Sequence, residues 1–517
     1  MATQLEAACI PATFSNLTLF GAEILTLEAT LVTNHSASVP SAVRFTQPSI
    51  EVQNATFCNI TVSYTHPGQG DNIIVETWLP VDAWNGRFQA VGGGGWVAGR
   101  YDPSYSAMSG AVGDGYATIT TDAGLGGAED AGPWALVSPG NVNLYNLQNL
   151  ASVSLEDEAI LGKLLIKSYY GRGPDFSYWN GCSQGGRQGL MLAQRYPTAY
   201  DGIAAVAPGI QWTDFFPSMY WPQQFMNMLG EYPHACELEA ITNAAVSFCD
   251  DLDGIVDGVI GEVDACLDGF DPFELVGSTI QCSQENRTLE VSSTAAAVVN
   301  ATWRGMRNAQ GVQTWPGLNP GTDLTAAVAI TNCTTETCVG VPLPIAVEWL
   351  SLFVSRGPEV DLGGLTHAEF DRLAHQSGQK YRSIIGTDDP DLSAFRKAGG
   401  KLVTAHGLID QLLPPKGTAM YYNKVSALSP DVRDFYRHFE VPGMGHCAGG
   451  PSGEPTSLFN QLRAWVENGT ALEQTPVKVQ DTEGVVHDRI LCPYPQKTVL
   501  KRGCKSPGKG HCWSCSS

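Results

Sequence analysis

Along the first third of the chain, apolar residues come in short runs broken by Gly, Pro and Asn. Residues 73–79, 87–91 and 116–121 are rich in β-branched and aromatic side chains, the pattern of strands. From 141 to 200 the period switches back and forth. Residues 155–170 carry apolar positions at helical spacing, 176–180 read as a short aromatic strand, and 185–196 as a helix. Residues 203–207 then form a continuous apolar run, as in a buried strand. The alternation returns late, with a helix at 392–397 and strands at 401–405 and 435–441. Between these stretches lies a middle rich in Asp, Asn, Thr and Cys with few clean β runs. Strand–helix alternation on both sides of such a middle predicts an α/β sheet interrupted by an insertion. The expected limits are 1–209 and 396–496 for the sheet domain, 210–395 for the insertion and 497–517 for a basic, Cys-containing tail.

Composition narrows the class. A 43% hydrophobic fraction excludes a disordered chain, and no apolar run is long enough to cross a bilayer. The net charge of −22 argues against nucleic acid or an anionic membrane as partner, because phosphate contacts need surface Lys and Arg. The 14 cysteines form an even set, which outside the cell suggests seven disulfides. Asn-x-Ser/Thr acceptors at Asn16, Asn34, Asn54, Asn59, Asn286, Asn300, Asn332 and Asn468 favour the same, secreted setting. The first nine residues have neither the basic nor the apolar region of a signal peptide, so Met1 reads as a mature or engineered start.

Candidate chemistry centres on Gly181-Cys182-Ser183-Gln184-Gly185, which fits Gly-x-Ser-x-Gly between an expected strand and an expected helix. Small residues there allow the sharp turn that lifts a nucleophilic hydroxyl clear of a sheet, although five such residues also fit a structural turn. A Ser nucleophile needs a His base and an orienting carboxylate, in α/β-hydrolases in the chain order Ser, Asp/Glu, His. Asp410 and His446 stand in that order, each just past an expected strand. The rival histidines are His438, inside a strand, and His406, which reads as a hydrogen-bonded residue where a strand gives way to a loop. Cys182 precedes the Ser and Cys447 follows the His. A bridge between them would tie the two loops together; two unrelated bridges are the alternative.

Cys182-Ser183, Asp410 and His446-Cys447 together resemble the CS–D–HC motif of the fungal tannase and feruloyl esterase family, and the likeness extends to Cys492-Pro-Tyr-Pro495. The resemblance implies an α/β-hydrolase fold with a large inserted lid domain. It also implies a disulfide between Cys182 and Cys447, and a triad of Ser183 nucleophile, His446 base and Asp410 orienting acid. Leu125 departs from the family, where a His is expected, so the role of its loop stays open. Some tannases are processed at a Lys-Arg pair in the lid. Here the only such pair is Lys501-Arg502, outside it, which tilts the reading towards a feruloyl esterase.

The remaining features fit around this site. An oxyanion needs preorganised N–H donors. The amide of Gln184 is one candidate, and the Gly92–Gly95 run after strand 87–91 supplies another, with Gly93 or Gly94 expected. Asp250, Asp253 and Asp257 crowd hard oxygen ligands in a Gly-turned loop, which suits Ca²⁺ or a solvated acidic loop. The resemblance implies a structural calcium site in the lid, with these carboxylates and the carbonyls of Ile255 and Val259 as ligands, braced by Cys249–Cys266. Pairings of Cys236, Cys282, Cys492, Cys504, Cys512 and Cys515 stay open; His511-Cys512 and Cys515 could suggest zinc, but disulfides suit a secreted chain better. Trp212, Phe215, Phe216 and Tyr220 open the insertion as an aromatic cluster on which a phenolic ring could stack.

The expectation is a secreted serine carboxylesterase, a monomer or homodimer with no organic cofactor. It would hydrolyse hydroxycinnamate esters of plant cell-wall material, free or carbohydrate-linked, through an acyl-enzyme. A tannase acting on galloyl esters is the alternative enzyme. A catalytically silent, calcium-dependent carbohydrate-binding protein is the alternative from another class.

Overall fold

A computed structural model describes residues 2–283, 285–334, 337–357 and 360–516. Nine strands form one sheet: β1 (Glu23–Val39), β2 (Ile50–Thr65), β3 (Ile73–Pro80), β4 (Arg87–Val91), β5 (Ala117–Thr121), β6 (Phe176–Cys182), β7 (Gly202–Val206), β8 (Lys401–Gly407) and β9 (Tyr436–Val441). Their spatial order is β1-β2-β3-β5-β4-β6-β7-β8-β9. β1, β2, β3 and β5 pair antiparallel, and from β5 onward every pair is parallel. The crossed β4 and β5, followed by parallel strands in sequence order, make this an α/β-hydrolase fold.

The parallel strands are buried along nearly their whole length because helices cover both faces. β5 and β7 are buried at every position. The helices α1 (Asp102–Gly113), α2 (Ser154–Tyr170) and α3 (Gln184–Arg195) follow β4, β5 and β6. β1 and β2 differ from the expected short runs: they form a long hairpin of 17 and 16 residues. β1 is an edge strand, largely exposed and broken by register shifts, so Thr, Asn and Ser replace the apolar alternation that would mark it in sequence.

No strand of this sheet comes from the chain between β7 and β8. That stretch opens with α4 (Trp212–Leu229) and contains α5 (Ala235–Cys249), α6 (Ser293–Arg304), α7 (His367–Ile385) and two short hairpins. After β8 come α8 (Pro415–Leu428) and, beyond β9, α9 (Leu458–Asn468). The hairpin β10 (Thr475–Gln480)–β11 (Val486–Leu491) follows. The last segment is not loose: β12 (Lys497–Leu500) pairs with β13 (Trp513–Ser516), held by Cys492–Cys515 and Cys504–Cys512. All 14 cysteines are paired, the other bridges being Cys9–Cys58, Cys182–Cys447, Cys236–Cys282, Cys249–Cys266 and Cys333–Cys338. Among the described residues no helix is long and apolar enough to cross a membrane.

Candidate active site

Ser183 sits in the turn between β6 and α3, with φ 58° and ψ −118°. A non-Gly residue there is strained and persists only where the surroundings enforce it. Here they do. The Ser183 amide donates to Val206 O (3.0 Å), and its carbonyl accepts from Arg187 and Gly209. A Cβ on Gly181 would lie 2.6 Å from the Gly185 carbonyl carbon, so the turn needs glycine at 181. The result is a serine raised at the N-terminus of α3.

Asp410 follows β8 and is fully buried. Its Oδ1 accepts the amides of Leu412 and Leu413, both at 2.8 Å. Its Oδ2 accepts from His446 Nδ1 at 2.7 Å and from His406 Nε2 at 3.1 Å. Burial alone would raise the Asp410 carboxyl. The His446 charge and the hydrogen bonds from His406 and His446 overcome it and hold the group well below the usual carboxylate range. His446 lies in the loop after β9, its amide held by Gln411 Oε1 at 3.1 Å. Cys182 and Cys447 are bridged, with Cα atoms 5.8 Å apart, so one disulfide fixes the residues beside Ser183 and His446.

Ser183, Gln184, His446 and the bridge all line one cavity of about 460 Å³. Among the described residues Ser183 Oγ carries no hydrogen bond to His446, the looser geometry common before substrate binds. Trp212, Phe215 and Phe216 form one wall, together with Met219. Tyr220 does not reach the cavity: it is buried in the insertion, stacked on Phe370 with centroids 6.1 Å apart. On α4, positions 212, 215, 216 and 219 share a face, and 220 is turned further round. Phe45, Tyr101, Leu343, Ile345, Leu412 and Leu413 also line the cavity, contributed by segments distant in sequence.

The Gly92–Gly95 run lies against the same cavity, but Gly93 and Gly94 are not open donors. The Gly93 amide donates to Gln188 Oε1 (3.0 Å), and Gly94 closes a turn with Val97. Of the four glycine amides only that of Gly95 has no acceptor among the described residues, and Gly95 lines the cavity.

Beneath Gln184 lies Arg187, fully buried and, among the described residues, without a carboxylate partner. It donates to Gln184 Oε1 (2.7 Å), Leu150 O (2.8 Å) and Ala151 O (2.9 Å), and stacks on Trp212 at 5.3 Å. The two carbonyls come from the π-helical turn Asn149–Val153, which leaves them available to a partner. Burial, then Arg195, pulls the Arg187 guanidinium down to about 9. The residue therefore stays cationic at neutral pH and anchors the side chain beside Ser183.

The acidic loop after α5 is closed on itself. Asp250 Oδ1 accepts the amides of Asp257 and Gly258, Asp253 Oδ1 accepts that of Ile255, and Asp257 Oδ1 accepts that of Val259. Asp257 Oδ2 also pairs with Arg489 at 3.2 Å. Burial pushes Asp253 up to about 6, aided by the charges of Asp257, Asp250 and Glu262. Arg489 offsets part of the negative charge of these three carboxylates, which remain hard oxygen donors of the kind Ca²⁺ takes. The cluster of Cys504, His511 and Cys512 offers no thiolate for zinc, because its cysteines are disulfide-bonded.

The chain has clear relatives. The profile of the family described as tannase and feruloyl esterase matches residues 58–507. A probable feruloyl esterase of Arthroderma benhamiae is 38% identical over 472 residues, covering 89% of this chain and 86% of that protein. A tannase of Aspergillus oryzae is 27% identical, covering 96% of this chain and 90% of the relative. Among solved structures, tannin acyl hydrolase from Aspergillus niger superposes with a TM-score of 0.87 at 28% identity, covering 100% of this chain and 95% of that one. On this profile match and these relatives, the chain belongs to the tannase and feruloyl esterase family of carboxylic ester hydrolases.

Proposed function

We propose that the protein is a secreted serine esterase that releases hydroxycinnamic acids (ferulic, p-coumaric, caffeic) from plant-derived esters. His446 takes the Ser183 proton as Oγ attacks the acyl carbon, and Asp410 steadies the resulting imidazolium. The amides of Gln184 and Gly95 hold the oxyanion, a pair that replaces the expected Gly93 and Gly94. Collapse expels the alcohol, which takes the proton from His446. Water, deprotonated by His446, then attacks the acyl-enzyme, and the acid leaves with Ser183 restored.

The observation that carries the acyl preference is the cavity lining. Among the described residues it contains no Asp, Glu, Lys or Arg, and its polar side chains beyond the triad are essentially Gln184 and Tyr101. Burial pushes the Tyr101 hydroxyl up to about 12, so it stays protonated and offers one hydrogen-bonding partner to a ring substituent. A galloyl ring would bury several hydroxyls against apolar walls, and unpaired buried hydroxyls are penalised by about 1–3 kcal/mol each. Initial rates on methyl ferulate, methyl caffeate and methyl gallate compared side by side test this. The expected result is kcat/KM for the cinnamates at least about tenfold above that for gallate. The tannase relatives favour the second reading, galloyl ester hydrolysis, and a preference for gallate would establish it.

The insertion, expected at 210–395, acts in this reading as a lid whose α4 forms a wall over the triad. Ca²⁺ would be held by the carboxylates of Asp250, Asp253 and Asp257 and the carbonyls of Ile255 and Val259. Bound there, it neutralises the crowded carboxylates and stiffens the loop, with no part in the ester chemistry. Chelation is expected to lower the melting temperature, with restoration by added Ca²⁺. A ligand at a hundred times its Kd contributes about 2.7 kcal/mol. An unchanged melting curve and no calcium by elemental analysis would overturn the site.

Secretion is supported by the paired cysteines and by exposed acceptor asparagines at 16, 34, 54, 286, 332 and 468. Asn59 is a poor candidate for a glycan, because its side chain donates to Glu76. Asn300 is half-buried on α6.

A further inference from the structure

We infer that His406 is a positioning residue of the hydrolytic site, a neutral donor to Asp410 that sets how readily His446 is protonated. The inference rests on the triad assignment above and goes beyond it, because no step of ester cleavage calls for a second histidine on the acid.

His406 lies in β8 with its ring buried, 1% exposed. Both nitrogens are engaged: Nε2 with Asp410 Oδ2 (3.1 Å) and Nδ1 with Thr418 Oγ1 on α8 (2.8 Å). A carboxylate only accepts, so Nε2 carries a hydrogen. The Thr418 hydroxyl can donate to Nδ1, which leaves the ring neutral with every site satisfied. Asp410 Oδ2 therefore takes two imidazole N–H bonds, while two backbone amides hold Oδ1. Four donors fix the carboxylate plane, and with it the ring of His446.

The charge consequence follows. A second donor on Oδ2 draws negative charge away from the bond to His446 and lessens the pull that favours imidazolium. Other titratable groups nearby do not supply this effect. On β9, His438 bonds Thr404 and is kept neutral by burial, its pKa lowered to about 3. Glu440 is the register partner of His406, and burial raises it to about 7. α8 meets the ring through Thr418, and the neighbouring β7 residues Ala205 and Val206 are apolar.

The test is the pH dependence of kcat and KM on methyl ferulate for His406→Phe and His406→Gln, with Ser183 labelling by a fluorophosphonate as a site count. Removing a hydrogen bond to a charged group corresponds to roughly ten- to hundredfold. His406→Phe is expected to lower kcat by that factor with KM within about twofold. The acid limb of kcat/KM should move up by about half to one pH unit, because His446 holds its proton more firmly. His406→Gln, which keeps an N–H donor, should restore much of the limb and rate. If His406→Phe does not fold, Thr418→Val serves, with a smaller shift in the same direction. A folded His406→Phe enzyme with the parent limb and kcat would overturn the inference, as would a Gln variant indistinguishable from Phe. Absence of Ser183 labelling in the parent would instead overturn the triad, and the two failures are thus distinct.

Discussion

Ser183→Ala is expected to fold like the parent and to lose turnover by about a million-fold, the scale seen when a serine nucleophile is removed. Two features of the turn make this a clean experiment. The Ser183 side chain holds no part of the fold together; its backbone does, through Val206 O and the amides of Arg187 and Gly209. Alanine keeps the Cβ, so the strained φ of 58° is no worse than before. Residual rate above the uncatalysed reaction would come from oxyanion donors and binding alone. The readouts are release of ferulate, thermal melting and fluorophosphonate labelling. An alanine variant that still turns over ester would remove Ser183 from the mechanism.

The second large effect is expected from Cys182→Ser/Cys447→Ser. The bridge closes a sequence separation of 265, for which the loop-entropy model gives about 5.6 kcal/mol, with measured values often smaller. Activity should fall as well as stability. The bonded cysteines are the direct neighbours of Ser183 and His446, and a misplacement of about 1 Å can cost a hundredfold in rate. Denaturant midpoints and kcat should both drop. A variant with parent midpoint and parent kcat would reduce the bridge to an ornament of the loops.

Much of this architecture is legible in sequence for a physical reason. Central parallel strands are buried on both faces and stand out as short runs of strand-forming residues, unbroken apolar at 203–207 and aromatic or mixed at 176–180 and 401–405. Each triad residue stands in the loop just past a strand of this sheet, so strand recognition brings the site with it. What the sequence does not show is what depends on side-chain direction or distant partners. β1 is an edge strand whose polar residues mask its period. Tyr220 is an aromatic at the wrong helical angle for the cavity, whereas Met219, which is not aromatic, has the right one. Gly93 and Gly94 read like Gly95 in sequence and differ from it in that their amides already have acceptors. His406 reads as the end of a strand, and nothing local says that Asp410, four residues on, turns back onto its ring. Arg187 is one cation in a helix until the π-helical carbonyls of another segment close around it.

The cysteines also divide the chain into compartments. Three bridges, Cys236–Cys282, Cys249–Cys266 and Cys333–Cys338, close wholly within the stretch between β7 and β8, and the other four close wholly outside it. The inserted stretch departs and returns at one place, since the Gln211 amide at its start donates to the Gly386 carbonyl near its end at 2.7 Å. It can therefore be exchanged for a relative's segment as a cassette: two junctions side by side, no covalent partner stranded, and the triad left on the retained part. Because α4 travels with the cassette while Ser183, Asp410 and His446 do not, descent can remodel much of the acyl wall without disturbing the catalyst.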